Sequence, residues 1–244
     1  MTTHIWAVVP AAGMGSRMQG ELPKQYLPLL GITMLQRTLE KLLDVPGLQG
    51  VVVVLAKDDP NWQALAVSRD ERIRTALGGD SRAASVAAGI QMVKASVGDD
   101  CWVLVHDAAR PLVSLADIQR LTDAVINSGA IGGLLATRVQ DTLKRSDEYC
   151  TVQATVPREN LWRAQTPQLF RAGELGDALA RALSGSSRDE GEGSGEHLLI
   201  TDEASAMEQA GYDPLLVEAL DPNPKITRPV DVQLIEAYLQ RGVG

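Results

Sequence analysis

Short apolar segments alternate along the first half of the chain with segments whose apolar positions follow a helical spacing. The apolar segments are residues 5–9, 51–55, 73–77, 102–105 and 131–136. The segments of helical spacing are residues 34–43, 62–67, 81–95 and 115–126. Buried strands separated by helices are typical of a parallel sheet that is covered on both faces. We therefore predict an α/β fold with a mostly parallel central sheet.

The alternation ends after residue 136, and two polar segments follow. Residues 141–145 and 151–156 alternate apolar and polar positions on either side of a turn at residues 146–148, which predicts two antiparallel strands. Together with residues 158–168 they are expected to form a projecting β-arm over residues 139–168. Since an isolated hairpin is only marginally stable in water, this arm is expected to pack against another surface.

One later segment has a composition unlike the rest of the chain. Residues 184–198 are rich in Ser, Gly and Glu, a composition typical of flexible surface segments. We expect a flexible insertion here that tolerates deletion. The chain as a whole has 244 residues, of which 45% are hydrophobic and 22% are charged. These values fit a single globular domain over residues 1–244.

The charge of the chain limits its partners. A formal net charge of −8 at pH 7 argues against non-specific binding to nucleic acid, which needs a basic face. No apolar run reaches the ~18 residues of a membrane span, and the first residues lack the basic start of a signal peptide. Cys101 and Cys150 are far apart in the chain, which fits a reducing compartment. We predict a cytoplasmic protein that binds neither nucleic acid nor membranes.

A loop rich in small residues follows the first predicted strand. Its members are Pro10, Ala11, Ala12, Gly13, Gly15 and Ser16. Small side chains leave the backbone N–H groups open to a ligand, and Arg17 and Lys24 add positive charge that a neutral ligand would not need. Open α/β sheets bind ligands at the carboxyl ends of their strands. The segment therefore predicts a triphosphate-binding loop at the end of the first strand.

Two better-known glycine loops do not match this segment. A P-loop requires Lys followed by Ser or Thr after its last glycine, and no such pair follows Gly15. The dinucleotide fingerprint begins well at Gly13 and Gly15, but Met18 occupies the position of its third glycine. An ordinary glycine turn is the alternative, and the presence of Arg17 and Lys24 makes it the weaker one.

Two further predicted strand ends carry polar residues. Gly79, Asp80 and Ser85 lie between the third strand and its helix, where capping of the helix is an equally good explanation. Asp107 follows the fourth strand, and a carboxylate there suits Mg²⁺ bound together with substrate phosphates. The alternative for Asp107 is a structural ion pair with Arg110, three residues later.

The most specific motifs resemble one enzyme family. They are Pro10-Ala11-Ala12-Gly13-x-Gly15-x-Arg17-Met18, Pro23-Lys24-Gln25-Tyr26, His106-Asp107-Ala108-Ala109-Arg110-Pro111 and Lys225-x-Thr227-x-Pro229-x-Asp231. In this order they are similar to the motifs of the 2-C-methyl-D-erythritol 4-phosphate cytidylyltransferases, nucleotidylyltransferases of non-mevalonate isoprenoid synthesis. The motifs extend from residue 10 to residue 231, so the resemblance covers nearly the whole chain.

The resemblance implies an activity and a fold. The expected enzyme transfers CMP from CTP to the polyol phosphate by in-line attack on the α-phosphorus, and pyrophosphate leaves. The implied architecture is a Rossmann-like, three-layer nucleotidyltransferase fold with helices on both faces of the sheet. Because a phosphate dianion is already a nucleophile, the reaction needs no activated Ser or Cys. The three histidines of the chain, His4, His106 and His197, have no setting that suggests such a constellation.

The resemblance also implies roles for single residues. Arg17 and Lys24 would stabilise charge on the α-phosphate and the leaving pyrophosphate, and Arg158 and Lys225 would position the attacking phosphate. Asp107 would lie beside a bound Mg²⁺ ion. The residues that match the family's substrate contacts are Pro10, Ala11, Ala12, Gly13, Gly15, Ser16, Gly79, Asp80, Ser85, Asp107, Ala108, Arg110, Thr142, Thr166, Thr201 and Thr227.

The implied partners are CTP, a polyol phosphate and a second copy of the chain. In the resembled family the β-arm exchanges between the subunits of a homodimer and borders the partner's active site, so we expect a homodimer. Two alternatives stay open. One is a related cytidylyltransferase for a pentitol phosphate such as ribitol 5-phosphate. The other is a non-catalytic nucleotide-binding module, against which the presence of Arg17, Lys24 and Asp107 argues.

Overall fold

The computed structural model describes residues 4–13, 22–185 and 200–243. The α-helices in these residues are α1 (Met34–Leu43), α2 (Arg82–Val97), α3 (Leu115–Ser128), α4 (Ala172–Gly185), α5 (Glu203–Gln209) and α6 (Pro229–Gln240). The strands are β1 (Ile5–Pro10), β2 (Pro28–Leu29), β3 (Ile32–Thr33), β4 (Leu48–Leu55), β5 (Ile73–Leu77), β6 (Trp102–Val105), β7 (Gly132–Arg138), β8 (Leu143–Ser146), β9 (Val152–Val156), β10 (Trp162–Arg171) and β11 (Leu215–Glu218).

Within the described residues, a seven-stranded sheet has the strand order β11-β7-β10-β6-β1-β4-β5. β1 pairs in parallel with β4 and β6, β4 pairs in parallel with β5, and β7 pairs in parallel with β11. β10 is the exception, because it runs antiparallel to both β6 and β7. The predicted α/β fold with a mostly parallel central sheet is therefore confirmed.

Successive residues of β1 point to opposite faces of the sheet. Ile5, Ala7 and Val9 belong to one hydrophobic cluster, whereas Trp6 and Val8 belong to the cluster on the other face. The first cluster includes apolar residues of α1 and α3, and the second includes apolar residues of α2, α4 and α5. Because a strand buried on both faces needs apolar residues at every position, helices on both sides explain the unbroken apolar run.

Helix α2 packs directly on the middle of the sheet. A Cβ at Gly89 would lie 2.5 Å from Cγ1 of Val8 and 3.0 Å from Cγ2 of Val54. These distances are shorter than van der Waals contact, so a side chain at Gly89 would push the helix away from β1 and β4. The close packing fixes the first turn of α2, which begins at Arg82, beside the carboxyl edge of the sheet.

β8 and β9 form a separate two-stranded antiparallel hairpin in the region predicted as the β-arm. Most of its residues are exposed, including Tyr149 at its turn, which is 80% exposed. The predicted boundary of 139–168 is too wide, because Trp162–Arg171 pairs within the central sheet. Residues 166–170 are buried without interruption, which is typical of a core strand and not of an exposed arm. A role of the hairpin in dimerisation stays a prediction.

The predicted helix at residues 62–67 is a pair of short 3-10 turns instead, Trp62–Ala64 and Ala66–Arg69. Leu65 between them is extended, with φ −75° and ψ 133°, so helical hydrogen bonding cannot continue through it. Trp62, Leu65 and Val67 are nevertheless buried in the first hydrophobic cluster. These three side chains anchor a surface segment to the core. A short apolar pattern does not distinguish such a segment from a helix.

Some predictions fall outside the described residues. Of the predicted flexible insertion at 184–198, the structure describes the first two residues, which end α4. The loop residues Gly15, Ser16 and Arg17 also lie outside the described residues. In the part of the chain that is described, no helix has both the length and the apolar character needed to cross a membrane.

Candidate active site

A first pocket, of about 440 Å³, opens where β1, β5 and β6 end. It is lined by Pro10, Ala11, Ala12, Gly13, Lys24, Gln25, Gly79, Asp80, Ser81, Arg82, Ser85, Asp107, Ala108, Ala109 and Lys225. The carboxyl edge of an open α/β sheet is where ligands bind. The structure therefore brings the three strand ends singled out by the sequence to one pocket.

Hydrogen bonds hold the loop after β1 in place. The N–H of Ala11 donates to the carbonyl oxygen of Val54 in β4 at 2.8 Å, and Nε2 of Gln25 donates to the carbonyl oxygen of Ala11 at 2.7 Å. The ammonium group of Lys24 donates to the carbonyl oxygen of Ile226 at 2.8 Å. Lys24 is thereby held against the loop that leads into α6, with its positive charge at the pocket wall.

The loop after β1 touches the turn after β5 at Gly78. A Cβ at Gly78 would lie 2.4 Å from Cβ of Ala12 and 3.0 Å from Oγ of Ser85. Real Cβ atoms do not approach other atoms this closely, so a larger residue would separate the two loops. The close contact at Gly78 therefore holds together two loops whose residues Ala12 and Gly79 line the pocket.

Capping of α2 explains one residue of the turn after β5. The hydroxyl of Ser81 accepts from the N–H of Ala84 at 3.1 Å and is the N-cap. The hydroxyl of Ser85 accepts from the N–H of Gly79 at 3.2 Å and ties the turn to the helix. Asp80 lines the pocket and is not the capping residue. Helix capping therefore does not account for Asp80.

Three cationic side chains surround the carboxylate of Asp107. Oδ1 lies 2.9 Å from Nη2 of Arg82, and Oδ2 lies 2.8 Å from Nζ of Lys225. Nε of Arg110 is 3.8 Å from Oδ2, so the predicted pair with Arg110 is the longest of the three. Burial alone would raise the pKa of Asp107, but the three cations hold it well below its usual range. Asp107 is therefore ionised and tightly paired.

This pairing bears on the predicted Mg²⁺ ion. Oδ1 of Asp107 already accepts two bonds from Arg82 and Oδ2 accepts one from Lys225, so a metal ion at Asp107 would share the carboxylate with two cations. No group of three or more His, Cys, Asp or Glu side chains suited to a metal occurs among the described residues. A Mg²⁺ ion bound by Asp107 together with substrate phosphates needs only one or two carboxylates, and this site stays a prediction.

Two buried side chains, Thr166 and His106, support the turn that carries Asp107. The hydroxyl of Thr166 accepts from the N–H of Asp107 at 3.0 Å and lies 3.1 Å from Nδ1 of His106. Nε2 of His106 lies 3.1 Å from the carbonyl oxygen of Arg110, which can only accept, so the neutral ring carries its proton on Nε2 and the Thr166 hydroxyl donates to Nδ1. Burial lowers the pKa of His106 to about 4, and the neutral ring supports the turn.

A second pocket, of about 470 Å³, adjoins the first and shares Lys225 with it. It is lined by Arg110, Thr137, Arg163, Ala164, Gln165, Asp221, Pro222, Asn223, Pro224, Lys225, Leu234 and Tyr238. Three of these side chains are cationic and one is anionic. Burial, together with the nearby charges of Arg82 and Arg163, lowers the pKa of Arg110. The second pocket is therefore positively charged and suits an anion.

Three buried polar atoms of residues that line the second pocket have no hydrogen-bond partner among the described residues. They are Nε of Arg110, Oγ1 of Thr137 and Oδ1 of Asn223. A buried polar atom without a hydrogen bond is costly and calls for an explanation such as a missing ligand or water. A guanidinium donates, an amide oxygen accepts, and a hydroxyl does both. Together they would suit a ligand that carries both a negative charge and hydroxyl groups.

The loop between the two pockets is fixed to the Asp107 turn. Nη1 of Arg110 donates to the carbonyl oxygen of Asn223 at 2.7 Å, and Nδ2 of Asn223 donates to the carbonyl oxygen of Thr166 at 2.8 Å. The N–H of Ile226 donates to the carbonyl oxygen of Ala109 at 2.9 Å. Lys225, between the anchored ends of this segment, is thereby placed where the two pockets meet.

Several predicted residues line neither pocket in the described structure. Arg158 and Thr142 are exposed at the base of the hairpin, where Arg158 donates to the carbonyl oxygen of Gln140. Thr227 donates to Oδ2 of Asp231 at 2.9 Å, at the start of α6, and Thr201 is exposed. Their substrate contacts stay predictions. So does that of Thr166, whose hydroxyl is engaged beneath the Asp107 turn.

Sequence reasoning missed some lining residues. Arg82 lies in the predicted helix over residues 81–95, but no local pattern indicates its pairing with Glu203, which is 121 positions away. Arg163, Thr137 and Asn223 come from three parts of the chain and belong to none of the short motifs. An arginine directly after a predicted strand–glycine turn was a usable signal for Arg82. The other three had no local signal.

Comparison with known proteins agrees with this geometry. Residues 5–241 match the profile of the family described as IspD, 2-C-methyl-D-erythritol 4-phosphate cytidylyltransferase. The chain belongs to this family. A cytidylyltransferase of that name from Ectopseudomonas mendocina is 48% identical over 243 residues, which are 99% of this chain and 98% of the relative. Another, from Photorhabdus laumondii, is 46% identical over an alignment of 245 positions that covers 98% of this chain and 96% of the relative.

Solved structures of the IspD family share the fold. The 2-C-methyl-D-erythritol 4-phosphate cytidylyltransferase of Francisella tularensis superposes with a TM-score of 0.80 at 33% identity, covering 96% of this chain and 99% of that one. The enzyme of the same name from Thermus thermophilus superposes with a TM-score of 0.70 at 29% identity, covering 96% and 98%. These likenesses extend over nearly the whole chain and not over one motif alone.

Proposed function

We propose that this protein transfers CMP from CTP to 2-C-methyl-D-erythritol 4-phosphate, giving 4-diphosphocytidyl-2-C-methyl-D-erythritol and pyrophosphate. The observation that carries this proposal is the pair of adjoining pockets that share Lys225. Family membership supplies the substrate identities, because its members are named for this reaction. Two adjoining pockets would allow one chain to bind two anionic reactants side by side.

In this proposal CTP occupies the first pocket. Backbone groups of the loop after β1 and of the turn after β5 face the nucleotide, and Lys24 provides fixed positive charge at the wall. The predicted contribution of Arg17 adds a second cation to the same loop. Transfer between two phosphates depends mainly on positioning and charge neutralisation, which these groups provide without a covalent intermediate.

The polyol phosphate would occupy the second pocket. Its phosphate would lie near Lys225, at the boundary with the first pocket, and its hydroxyl groups would reach the unpartnered atoms of Thr137 and Asn223. A phosphate oxygen at Lys225 could then attack the α-phosphorus in line, with pyrophosphate leaving on the side of Lys24. The anchored loop at 223–226 supports this arrangement because it holds Lys225 in place.

We also propose a homodimer in which the hairpin of one subunit borders the acceptor pocket of the other. Arg158 and Thr142 are exposed on the hairpin and line neither pocket of their own chain, so a second copy gives them a place to act. Exposed apolar side chains on the hairpin, such as Val152 at 60% exposure, would be covered by the same contact. Sedimentation at micromolar concentration would check the oligomeric state.

We propose that Mg²⁺ accompanies the CTP phosphates near Asp107. When bound there it would shield phosphate charge and act as a template. The expected loss of turnover on chelation, with recovery on addition of Mg²⁺, would check the requirement. A cytoplasmic location is likewise kept as a proposal that follows from the sequence.

The decisive experiment measures pyrophosphate release with CTP, ATP, GTP and UTP against 2-C-methyl-D-erythritol 4-phosphate and ribitol 5-phosphate. We expect turnover with CTP and the methylerythritol phosphate to exceed every other combination. Faster turnover with ribitol 5-phosphate would assign the pentitol alternative. CTP binding without pyrophosphate release with either acceptor would contradict the proposal and favour a non-catalytic module.

A further inference from the structure

Arg82 connects the first pocket to a fully buried carboxylate that no motif had marked. Its Nη1 lies 2.6 Å from Oε1 of Glu203 and its Nη2 lies 3.2 Å from Oε2. On the other side, Nε and Nη2 lie 3.1 and 2.9 Å from Oδ1 of Asp107. One planar guanidinium thus joins the first turn of α2 to two carboxylates on two other elements.

Among the described residues, the carboxylate of Glu203 bonds to Arg82 and to no other side chain. Its side chain is 1% exposed, at the start of the short helix α5. Gln168 fixes that helix to β10, because its Oε1 accepts from the N–H of Ala204 at 2.8 Å and its Nε2 donates to Oδ2 of Asp202 at 2.9 Å. Glu203 is therefore a rigid carboxylate that sets the position of the guanidinium.

Stability alone is a poor explanation for this arrangement. Desolvating an ion pair offsets much of its electrostatic attraction, and buried pairs can often be replaced by apolar residues without loss of stability. The second helix already packs on the sheet through Gly89 and the apolar side chains of its inner face. Arg82 also remains 31% exposed at the pocket wall, which a purely structural pair does not need.

We propose that Arg82 is a positioning residue of the transfer reaction, held by Glu203 so that it orients Asp107, which in turn holds Lys225. The order of contacts is Glu203 to Arg82, Arg82 to Asp107, and Asp107 to Lys225, all at 2.6 to 2.9 Å. Because Lys225 stands where the two pockets meet, a small displacement of Asp107 would move the ammonium group away from the reacting phosphates. This inference rests on the proposed function.

The first test replaces Arg82 by Lys, which keeps the charge but removes the planar fork. We expect kcat to fall about 10- to 100-fold, the scale expected when a reacting group is misplaced by about an ångström. The dissociation constant of CTP should change by less than about threefold, because Arg82 is proposed to act on Asp107 and not on the nucleotide. A factor of about three is well under ~1.4 kcal/mol. Arg72→Lys is the matched control, because Arg72 makes a similar pair with Asp70 on the exposed surface. It should leave kcat unchanged.

A double-mutant cycle separates positioning from general damage. If Arg82 acts through Lys225, the variant Arg82→Lys/Lys225→Ala should turn over within about threefold of Lys225→Ala alone, since coupled residues are not additive. Multiplied losses would overturn the proposal, and so would an Arg82→Lys variant as active as the parent. A CTP dissociation constant raised more than about tenfold would make Arg82 a nucleotide ligand instead.

A second variant keeps the proposal testable if Arg82→Lys is unstable. Arg82→Met/Glu203→Leu removes the pair and leaves no buried charge without a partner. We expect a melting temperature near that of the parent together with a kcat reduced at least as much as in Arg82→Lys. A folded pair variant with full turnover would overturn the inference. An inactive parent would instead contradict the proposed function, which the parent assay establishes first.

Discussion

The two pockets are built in different ways, although they share one lysine. The walls of the first pocket are held by short hydrogen bonds to the core, such as that from Ala11 to Val54, and by contacts that require glycine, such as Gly78 against Ala12. The second pocket is lined by side chains from scattered segments, and among the described residues it leaves three buried polar atoms without partners. The first pocket is shaped mainly by fixed backbone segments, and the second mainly by side chains that have hydrogen-bonding capacity left for a ligand.

This difference indicates which of the two pockets gains hydrogen bonds when its ligand binds. A preorganised polar wall stabilises charge without reorganisation during the reaction, so the first pocket is suited to the phosphate that changes its bonding. A pocket with unsatisfied atoms gains hydrogen bonds only when its ligand arrives. The acceptor pocket therefore depends on the ligand and, in the proposed dimer, on a second subunit. Four predictions test this division, beginning with the largest effect.

The largest effect is expected from Lys24→Ala. Removing one preorganised cation at the first pocket should lower kcat roughly 10²- to 10³-fold, the loss typical of a single electrostatic donor in an active site. Steady-state pyrophosphate release would measure it, with Lys41→Ala in α1, which lines neither pocket, as the control. A loss below about tenfold, only ~1.4 kcal/mol, would remove Lys24 from the catalytic residues.

A slightly smaller loss, about 10²-fold, is expected for Arg158→Ala if the hairpin completes the acceptor pocket of a partner. The two inactive variants should then complement each other. In a mixed dimer of Arg158→Ala and Lys24→Ala chains, one of the two sites carries neither substitution, so reassociated chains should recover about a quarter of the parent activity. Recovery is measured after the mixture is dissociated and refolded. No recovery would place Arg158 in the site of its own chain.

The difference between the two pockets also explains which site residues can be predicted from the sequence. Lys24 and Asp107 lie in short motifs at strand ends, and the parallel sheet brings such ends to one edge, so the first pocket follows from local patterns and one topological rule. The Glu203 partner of Arg82 lies 121 positions away, and nothing local marks either Arg163 or Asn223. Those residues meet through the antiparallel insertion of β10 between β6 and β7, which periodicity alone does not specify.

The turn between the two pockets should respond to pH through His106. Its neutral ring supports the Asp107 turn by bonds to Thr166 and to the carbonyl oxygen of Arg110. The folded-state pKa is lowered to about 4, mainly by burial, from an ordinary value of 6.5. Between these values the unfolded chain binds a proton that the folded chain excludes. The contribution of His106 to stability should therefore fall as pH falls from 6.5 towards 4, by about 1.4 kcal/mol for each pH unit at most.

Urea unfolding at several pH values would measure this dependence. His106→Gln should be less stable than the parent at pH 7, because one of the two bonds is lost, but its stability should fall less steeply with acid. Asp107 changes this comparison little, because the stability that its pairing contributes is lost only as pH falls below its ordinary pKa of 3.8. His4→Gln is the control, since His4 is exposed. Parallel pH profiles for His106→Gln and the parent would contradict the buried neutral ring.

The smallest effect, and the most selective, is expected from Arg163→Ala in the second pocket. Arg163 is exposed at the rim and adds charge to a site that already contains Arg110 and Lys225, so its loss should raise KM for the polyol phosphate about tenfold, or ~1.4 kcal/mol. KM for CTP should stay within about twofold, because the nucleotide contacts different walls. Arg241→Ala, beyond the end of α6, should change neither constant. Equal changes in both KM values would mean that the two pockets do not bind their ligands separately. The contrast between a preorganised nucleotide site and a ligand-dependent acceptor site would then be wrong.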